Sequence, residues 1–433
     1  MDYQETLAYI HGINRYARKQ GLDNIRRLMR ELGDPQDRLV FIHIAGTNGK
    51  GSTAAMTAGA LRAAGYRTGL YTSPYLNRFT ERIRVDGAEI PEGEVVRLAG
   101  AVRRAIEAVV ADGYAHPTEL EVVAAIAFLY FDQEKCDAVA LEVGLGGRFD
   151  PTNVIKAPLV AAITTIAYDH MAKLGNTLEQ IAFEKAGVIK PGGAVALYRQ
   201  PDGVRRVFEE AAEKAGAKLK ICDFSSIRHI SHDLTGQKFD YGPYKNLEIS
   251  LLGDFQTRNA ALVADVCELI NRDEGRGLHI SEDALRLGLK NARWPGRMEL
   301  LREDPPVVVD AAHNAQCAGV LREALEKYFP GKKIVYVFGV VRDKEHGAIL
   351  EETLPLASAV FTVTTESHRA VGADELADIV SAHARGRLAG RVQACGSVAE
   401  AARRAEALAR ETDAVVCAFG SLYYIGVFRE LYV

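Results

Sequence analysis

Cysteine is sparse in this sequence and never forms a C-x-x-C pair. Cys136, Cys222, Cys267, Cys317, Cys395 and Cys417 are scattered along the chain. That spacing excludes a disulfide-stapled scaffold and a zinc site, and it fits buried thiols in a reducing compartment. No apolar run approaches ~20 residues, so no membrane span is expected. The opening MDYQETLAYI is acidic and polar and does not read as a secretory signal. Charge of one sign is lacking too. A net charge of −4 over 433 residues, with no basic arm or acidic tail, excludes a general nucleic-acid or membrane-surface binder. Tandem repeats and low-complexity tracts are absent. The expectation is a cytoplasmic globular protein.

What is present is alternation. Apolar, β-branched runs such as LVFIHIA, DAVALEV, LVAAITTI, PVVVD, KKIVYVFG and DAVVCAFG recur between helical patterns. Runs without period-two alternation fit strands buried on both faces, and their alternation with helices implies βαβ units in a parallel sheet. At 433 residues the chain is too long for one ordinary core. The segment RWPGRMEL, Arg293 to Leu300, reads as a joint, since Trp-Pro-Gly ends one helical pattern and a new strand–helix series begins near Pro306. The expected fold is α/β. A P-loop-type, mostly parallel sheet flanked by helices occupies 1–294, and a smaller Rossmann-like α/β domain occupies 298–433. The polar stretch SHDLTGQKFDYGPYKNLEIS reads as a small antiparallel excursion before the joint.

The first strand closes on a glycine-rich turn, Gly46, Thr47, Asn48, Gly49, Lys50, Gly51, Ser52 and Thr53. This is a shortened relative of the P-loop, with a glycine inserted after the lysine. Glycines allow backbone N–H groups to approach oxygen anions, and a helix expected from about Ser52 to a C-cap at Gly65 offers its positive end. Lys50 adds a cation that can follow the β- and γ-phosphates. The turn is therefore expected to hold a nucleoside triphosphate; the bland alternative is a turn with an exposed lysine.

Other strand ends carry polar groups. Ser73 follows the strand in YRTGLYTSPYL, Glu142 ends DAVALEV, and His170 follows LVAAITTI. Ligands of open α/β sheets bind outside the carboxyl ends of strands, which puts these three on the edge that holds Lys50. Hydroxyl, carboxylate and imidazole form a reasonable set for Mg²⁺. Taken singly, each has a structural explanation: a turn cap for Ser73, a pair with Arg148 for Glu142, a carbonyl bond for His170. Lys185, in IAFEKAGVIK, falls on a helix just after the His170 loop. Beside a divalent ion its ammonium would be repelled unless neutralised or converted to an anion.

At these motifs the chain resembles the folylpolyglutamate synthase and dihydrofolate synthase family, a branch of the Mur-ligase superfamily. The resemblance covers nearly the whole chain. It runs through GLDNIRRLMRELGDP, HIAGTNGKGST, TSPYL with ERIRVDG, LEVGLGGRFDPTN, DHMAKLGNTLEQIAFEKAGVIK, GDFQTRNAALV, WPGRMEL, DAAHN and FGSLYYIG. It implies ATP phosphates on Gly49 to Ser52, and Mg²⁺ on Ser73, Glu142, His170 and a carbamylated Lys185. It further implies nucleotide contacts from Asn259, Arg297 and Asp310. Asp310 and His313 follow the strand PVVVD, a polar strand end suited to closure over ATP. Thr118 and Glu121 are expected near the pterin. Three departures stand out: Glu119-Leu120 where the family has an aromatic pair, His368 where Pro precedes Arg369, and Glu345 where Asp is common.

The implied reaction is ATP-dependent joining of L-glutamate to a pteroate or folate carboxylate through an acyl phosphate, with Lys50, His170 and Lys185 in catalytic roles. The implied partners are small molecules only: L-glutamate with dihydropteroate or reduced folates. A monomer is the family expectation. The alternatives are another Mur-type amino-acid ligase, a nucleotide-driven switch, and a module that binds nucleotide without turnover.

Overall fold

The computed structural model of the protein describes residues 1–14, 21–273 and 275–433. The chain forms two compact units. The first comprises Met1–Arg228, Asp240–Glu248 and Arg258–Ala292; the second comprises His229–Phe239, Ile249–Thr257 and Arg293–Val433.

In the first unit the strands are β1 (Phe41–Ala45), β2 (Thr68–Tyr71), β3 (Ile83–Val85), β4 (Ala88–Glu89), β5 (Ala138–Glu142), β6 (Val160–Ile163), β7 (Ala194–Leu197) and β8 (Lys218–Ile221). They form one sheet in the order β4-β3-β2-β5-β1-β6-β7-β8. From β2 through β8 neighbouring strands are parallel; β3 and β4 add an antiparallel edge. Every residue of β1, β5 and β6 is buried, as continuous apolar runs require when helices cover both faces. The chain leaves β1 for β2 on one side, and β6 lies on the other. The sheet's topological switch point therefore falls at the carboxyl end of β1, where ligands of such sheets bind. One core cluster packs Phe41, Tyr71, Val139 and Leu141 against the helix Glu119–Gln133. Another packs Ala161, Ile163, Val195 and Leu197 against the helix Leu178–Ala186.

A three-stranded meander of β9 (Arg228–Asp233), β10 (Gly236–Tyr241) and β11 (Tyr244–Ile249) has the order β11-β10-β9. It falls in the polar stretch read from the sequence as a small excursion before the joint.

The second unit's sheet contains β12 (Glu299–Glu303), β13 (Pro306–Val309), β14 (Ile334–Phe338), β15 (Ala357–Thr362), β16 (Val392–Ala394) and β17 (Val415–Phe419), in the order β12-β13-β17-β14-β15-β16. All its pairings are parallel except β12 with β13. The strand series thus begins at Glu299, ahead of the expected Pro306. Only the partly buried ELLRE hairpin edge, too polar to read as a core strand, separates the two positions.

Candidate active site

The turn after β1 is held by specific backbone geometry. Gly46 has φ +142° and Gly49 has φ +86°, conformations that side-chain-bearing residues rarely adopt. A Cβ on Gly46 would meet Thr164 Oγ1 at 1.8 Å, and one on Gly49 would meet Asn259 Oδ1 at 2.7 Å. With Gly49 left-handed as N-cap, the helix begins at Lys50 and runs to Ala63, so the lysine stands in its first turn. The expected start near Ser52 lies two residues late because an inserted glycine hides where the helix takes over. Gly65 follows the helix with φ +90°, as expected of its terminator.

The turn is tied to the segment that leaves β6. Thr47 N–H donates to Thr165 O at 2.7 Å, and Ala167 N–H donates to Thr47 Oγ1 at 3.1 Å. Those bonds anchor the turn to the stretch that leads to His170.

Lys50 Nζ donates to Thr47 O at 3.1 Å and lies 4.0 Å from Glu142 Oε1. The other oxygen of Glu142, Oε2, accepts from Ser73 N–H at 3.2 Å, and Ser73 Oγ accepts from Arg82 at 3.0 Å. Lys50, Glu142 and Ser73 are therefore brought together at the ends of β1, β5 and β2. Glu142 pairs with Lys50 rather than with Arg148, whose guanidinium lies 4.1 Å over the Phe183 ring. His170 sits in the left-handed region with φ +51°, its N–H on Asp169 Oδ1 at 2.8 Å. No group of three or more His, Cys, Asp or Glu able to hold a metal occurs among the described residues.

Lys185 is 4% exposed, and its Nζ donates to Gly46 O at 2.8 Å. Burial pushes its amine down to about 7, and the neighbouring Lys50 charge adds to the shift. Its amine therefore loses its proton far more readily than an ordinary lysine, beneath the glycine-rich turn.

Several expected contacts turn out to have structural partners. Asn259 is buried behind Gly49 and accepts from the Tyr198 hydroxyl. Thr118 and Glu121 close a capping box at the start of the helix Glu119–Gln133, with Glu121 Oε2 taking Thr118 N–H at 2.7 Å and Thr118 Oγ1–H at 2.8 Å. Burial raises the Glu121 carboxyl above the usual range. It is Glu119 that faces other polar groups, 3.1 Å from His11 Nδ1, with the Tyr75 hydroxyl 3.4 Å from His11 Nε2.

The glycine-rich turn thus stands beside a lysine, a carboxylate and a hydroxyl, and comparison with known proteins identifies the class. Residues 44–267 match the Mur ligase middle domain and 296–422 match the Mur ligase, glutamate ligase domain. The dihydrofolate synthase/folylpolyglutamate synthase of Bacillus subtilis is 39% identical over 382 residues, 87% of this chain and 88% of that protein. The chain belongs to the folylpolyglutamate synthase/dihydrofolate synthase family of Mur ligases. Among solved folylpolyglutamate synthases, the Mycobacterium tuberculosis protein complexed with ADP has a TM-score of 0.90 at 29% identity, covering 99% of this chain and 98% of that one. A folylpolyglutamate synthase complex with AMPPCP and folate has a TM-score of 0.85 at 31% identity, covering 100% and 99%.

In the second unit of this family member, Asp310 follows β13. Its Oδ1 accepts from Ala312 N–H and its Oδ2 from Met298 N–H, each at 2.7 Å. Burial raises its carboxyl, while Arg297 pulls the other way. Arg297 donates to Gly296 O at 3.1 Å, and His313 Nδ1 lies 2.8 Å from Ala311 O. Of the departures, His368 and Glu345 are exposed, while Arg369 bonds Asp343 at 2.7 Å and the Tyr423 hydroxyl at 3.1 Å.

Sequence reasoning passed over Arg82, which reaches Ser73 only because the short β3 folds back beside β2. It also passed over Asp150, which is buried in the loop after Glu142. The Asp-Pro pair in GGRFDPTN is a turn signature that marks the latter.

Proposed function

We propose that this ATP-dependent ligase joins the amino group of L-glutamate to the carboxylate of a pteroate or folate. The reading is carried by one observation: Lys50, Glu142 and Ser73 meet at the switch point of the first sheet, at the start of a helix. A carboxylate is a poor electrophile. Transfer of the γ-phosphoryl group of ATP onto it gives an acyl phosphate and ADP. The glutamate amine then attacks the acyl carbon, phosphate leaves, and an amide remains. Such transfer depends on positioning and charge neutralisation, which Lys50 and the N–H groups of the turn Gly46 to Thr53 are built to supply.

The donor set fits Mg²⁺, a hard cation that takes oxygen ligands from one or two carboxylates, from substrate phosphates and from water. Glu142 and Ser73, with His170 and a carbamate on Lys185, would hold it, and bound there it would offset phosphate charge. The buried Lys185 amine, held down to about 7, supports the carbamate, because only an unprotonated amine adds carbon dioxide. Asn259, Arg297, Asp310 and His313 are assigned to the nucleotide, and Thr118 and Glu121 to the edge of the pterin pocket. Cysteines that form no disulfide among the described residues fit a reducing compartment.

Incubation with ATP, Mg²⁺ and glutamate, offering dihydropteroate and tetrahydrofolate in separate reactions, tests the proposal. Products one glutamyl unit heavier are expected with at least one acceptor. ATP hydrolysis that ignores both acceptor and glutamate would instead favour a nucleotide-driven switch.

A further inference from the structure

Behind the Glu142 strand end lies a buried polar chain that the chemistry above does not use. His43, on β1, is fully buried, and its Nε2 lies 2.9 Å from Thr152 Oγ1. Thr152 in turn bonds Asp150 Oδ1 through both its hydroxyl and its N–H, the latter at 3.0 Å. The Thr152 hydroxyl has one proton, and it points at the carboxylate. The same oxygen must therefore accept from His43, which makes Nε2 the protonated ring nitrogen. Nδ1 is then a bare lone pair, in accord with its having no partner in its buried position. A stranded acceptor is tolerated more readily than a stranded N–H donor.

Asp150 is the hub. Besides Thr152, its carboxylate takes the backbone N–H of Leu145 at 2.8 Å and that of Gly144. Those residues open the loop directly after Glu142 and Val143. A Cβ on Gly144 would stand 3.3 Å from Asp150 Oδ2 and 3.9 Å from Ser73 Oγ. The far side of the loop is pinned to the helix that carries Lys185. Arg148 N–H donates to Glu184 O at 2.8 Å, and Asn153 Nδ2 bridges Arg148 O at 3.1 Å and Gly187 O at 3.0 Å. One loop thus sets the spacing of Glu142, Ser73 and Lys185.

We propose that His43 and Thr152 are positioning residues for the ligation: they orient Asp150, which holds the loop that spaces Glu142, Ser73 and Lys185. The inference rests on the assignment of those three residues to the reacting end. All three residues of the network are buried. Its effect reaches the reaction as geometry, so it should appear in turnover rather than in nucleotide affinity.

The test uses the full-length protein and follows ADP release with glutamate and tetrahydrofolate or dihydropteroate, whichever turns over. Thr152→Val keeps the side chain's shape but strands the His43 donor. It is expected to lower kcat about 10–100-fold, the usual cost of losing an outer-shell partner, while KM for ATP moves less than about threefold. Thr152→Ser restores the hydroxyl and should recover most of that loss. His43→Gln, whose amide can donate from a similar reach, should retain more turnover than His43→Leu. Independently, ¹⁵N NMR of the wild-type histidines should show His43 as the neutral Nε2–H tautomer. Melting temperatures show which variants fold, and the Ser and Gln variants together with the wild-type spectrum decide the matter if Val or Leu fails to fold. A folded Thr152→Val protein with wild-type kcat, or a His43 signal of the Nδ1–H tautomer, overturns the proposal. If Lys50→Ala meanwhile abolishes turnover, only this inference fails; if Lys50→Ala is fully active, the ligase site itself is misassigned.

Discussion

Two lysines meet the same turn in different surroundings. Lys50, at the first turn of its helix, keeps a carboxylate within 4.0 Å and access to incoming phosphate. Lys50→Ala should leave folding intact and lower kcat by about 10²–10³, the scale of a lost preorganised donor; steady-state kinetics alongside circular dichroism checks this. Lys185 is buried, with its amine held near 7 against 10.5 for an ordinary lysine. Between those values the unfolded chain carries a proton that the folded chain has shed. Raising pH from about 7 toward 10.5 therefore stabilises the fold, and below about 7 both states are protonated and the term is flat. In carbon-dioxide-free buffer, the melting temperature of wild type should gain on that of Lys185→Met across that window. Parallel curves would show that the amine is charged as usual. Both lysines were legible as residues in the sequence, but the burial that lowers the Lys185 amine was not. Desolvation depends on what packs around the amine, and the added charge repulsion comes from Lys50, 135 positions away in the chain.

At the scale of elements, the helix Lys50–Ala63 carries the cation and must keep its place over the sheet. It crosses the helix Glu282–Asn291 at a contact built from glycine on both sides. A Cβ on Gly288 would meet Ala60 N at 2.3 Å, and one on Gly59 would meet Gly288 O at 2.8 Å. Neither obstacle is a flexible side chain, so Gly288→Ala must push one helix off the other. The expected cost is ~1–3 kcal/mol, the range for overpacking, read from chemical denaturation, with a loss of turnover as the nucleotide turn shifts. A wild-type denaturation midpoint would show that the helices separate freely. Strands and helices of this kind were readable from apolar runs and turn residues. The Gly59–Gly288 contact was not, because nothing in LRLGLKN distinguishes a close-packed glycine from one that merely weakens a helix. Capping chemistry was similarly local: Thr118-x-x-Glu121 is a capping-box spacing, and the structure uses it as one.

For the molecule as a whole, a ligand that binds only the folded state shifts the unfolding equilibrium by mass action. At a hundredfold excess over Kd the gain is about 2.7 kcal/mol. AMPPCP with Mg²⁺ should accordingly raise the melting temperature of wild type in a concentration-dependent way. Gly46→Val, which would drive a side chain into Thr164, should abolish that rise. A rise that persists undiminished in the variant would locate nucleotide binding elsewhere.

The sequence by itself determined the α/β class, the glycine-rich turn and the polar strand ends, since each depends on neighbours within a few residues: buried runs, positive-φ glycines, a helix start. Tertiary structure alone decided which of those strand ends meet. Glu142 joins Lys50 and Ser73 because β5 lies between β1 and β2, an order that no local pattern encodes. It alone also placed Arg82 on Ser73 and linked His43 to Asp150 through Thr152. Hydrogen bonds and desolvation act over a few ångströms of space, whereas sequence patterns report only on separation along the chain.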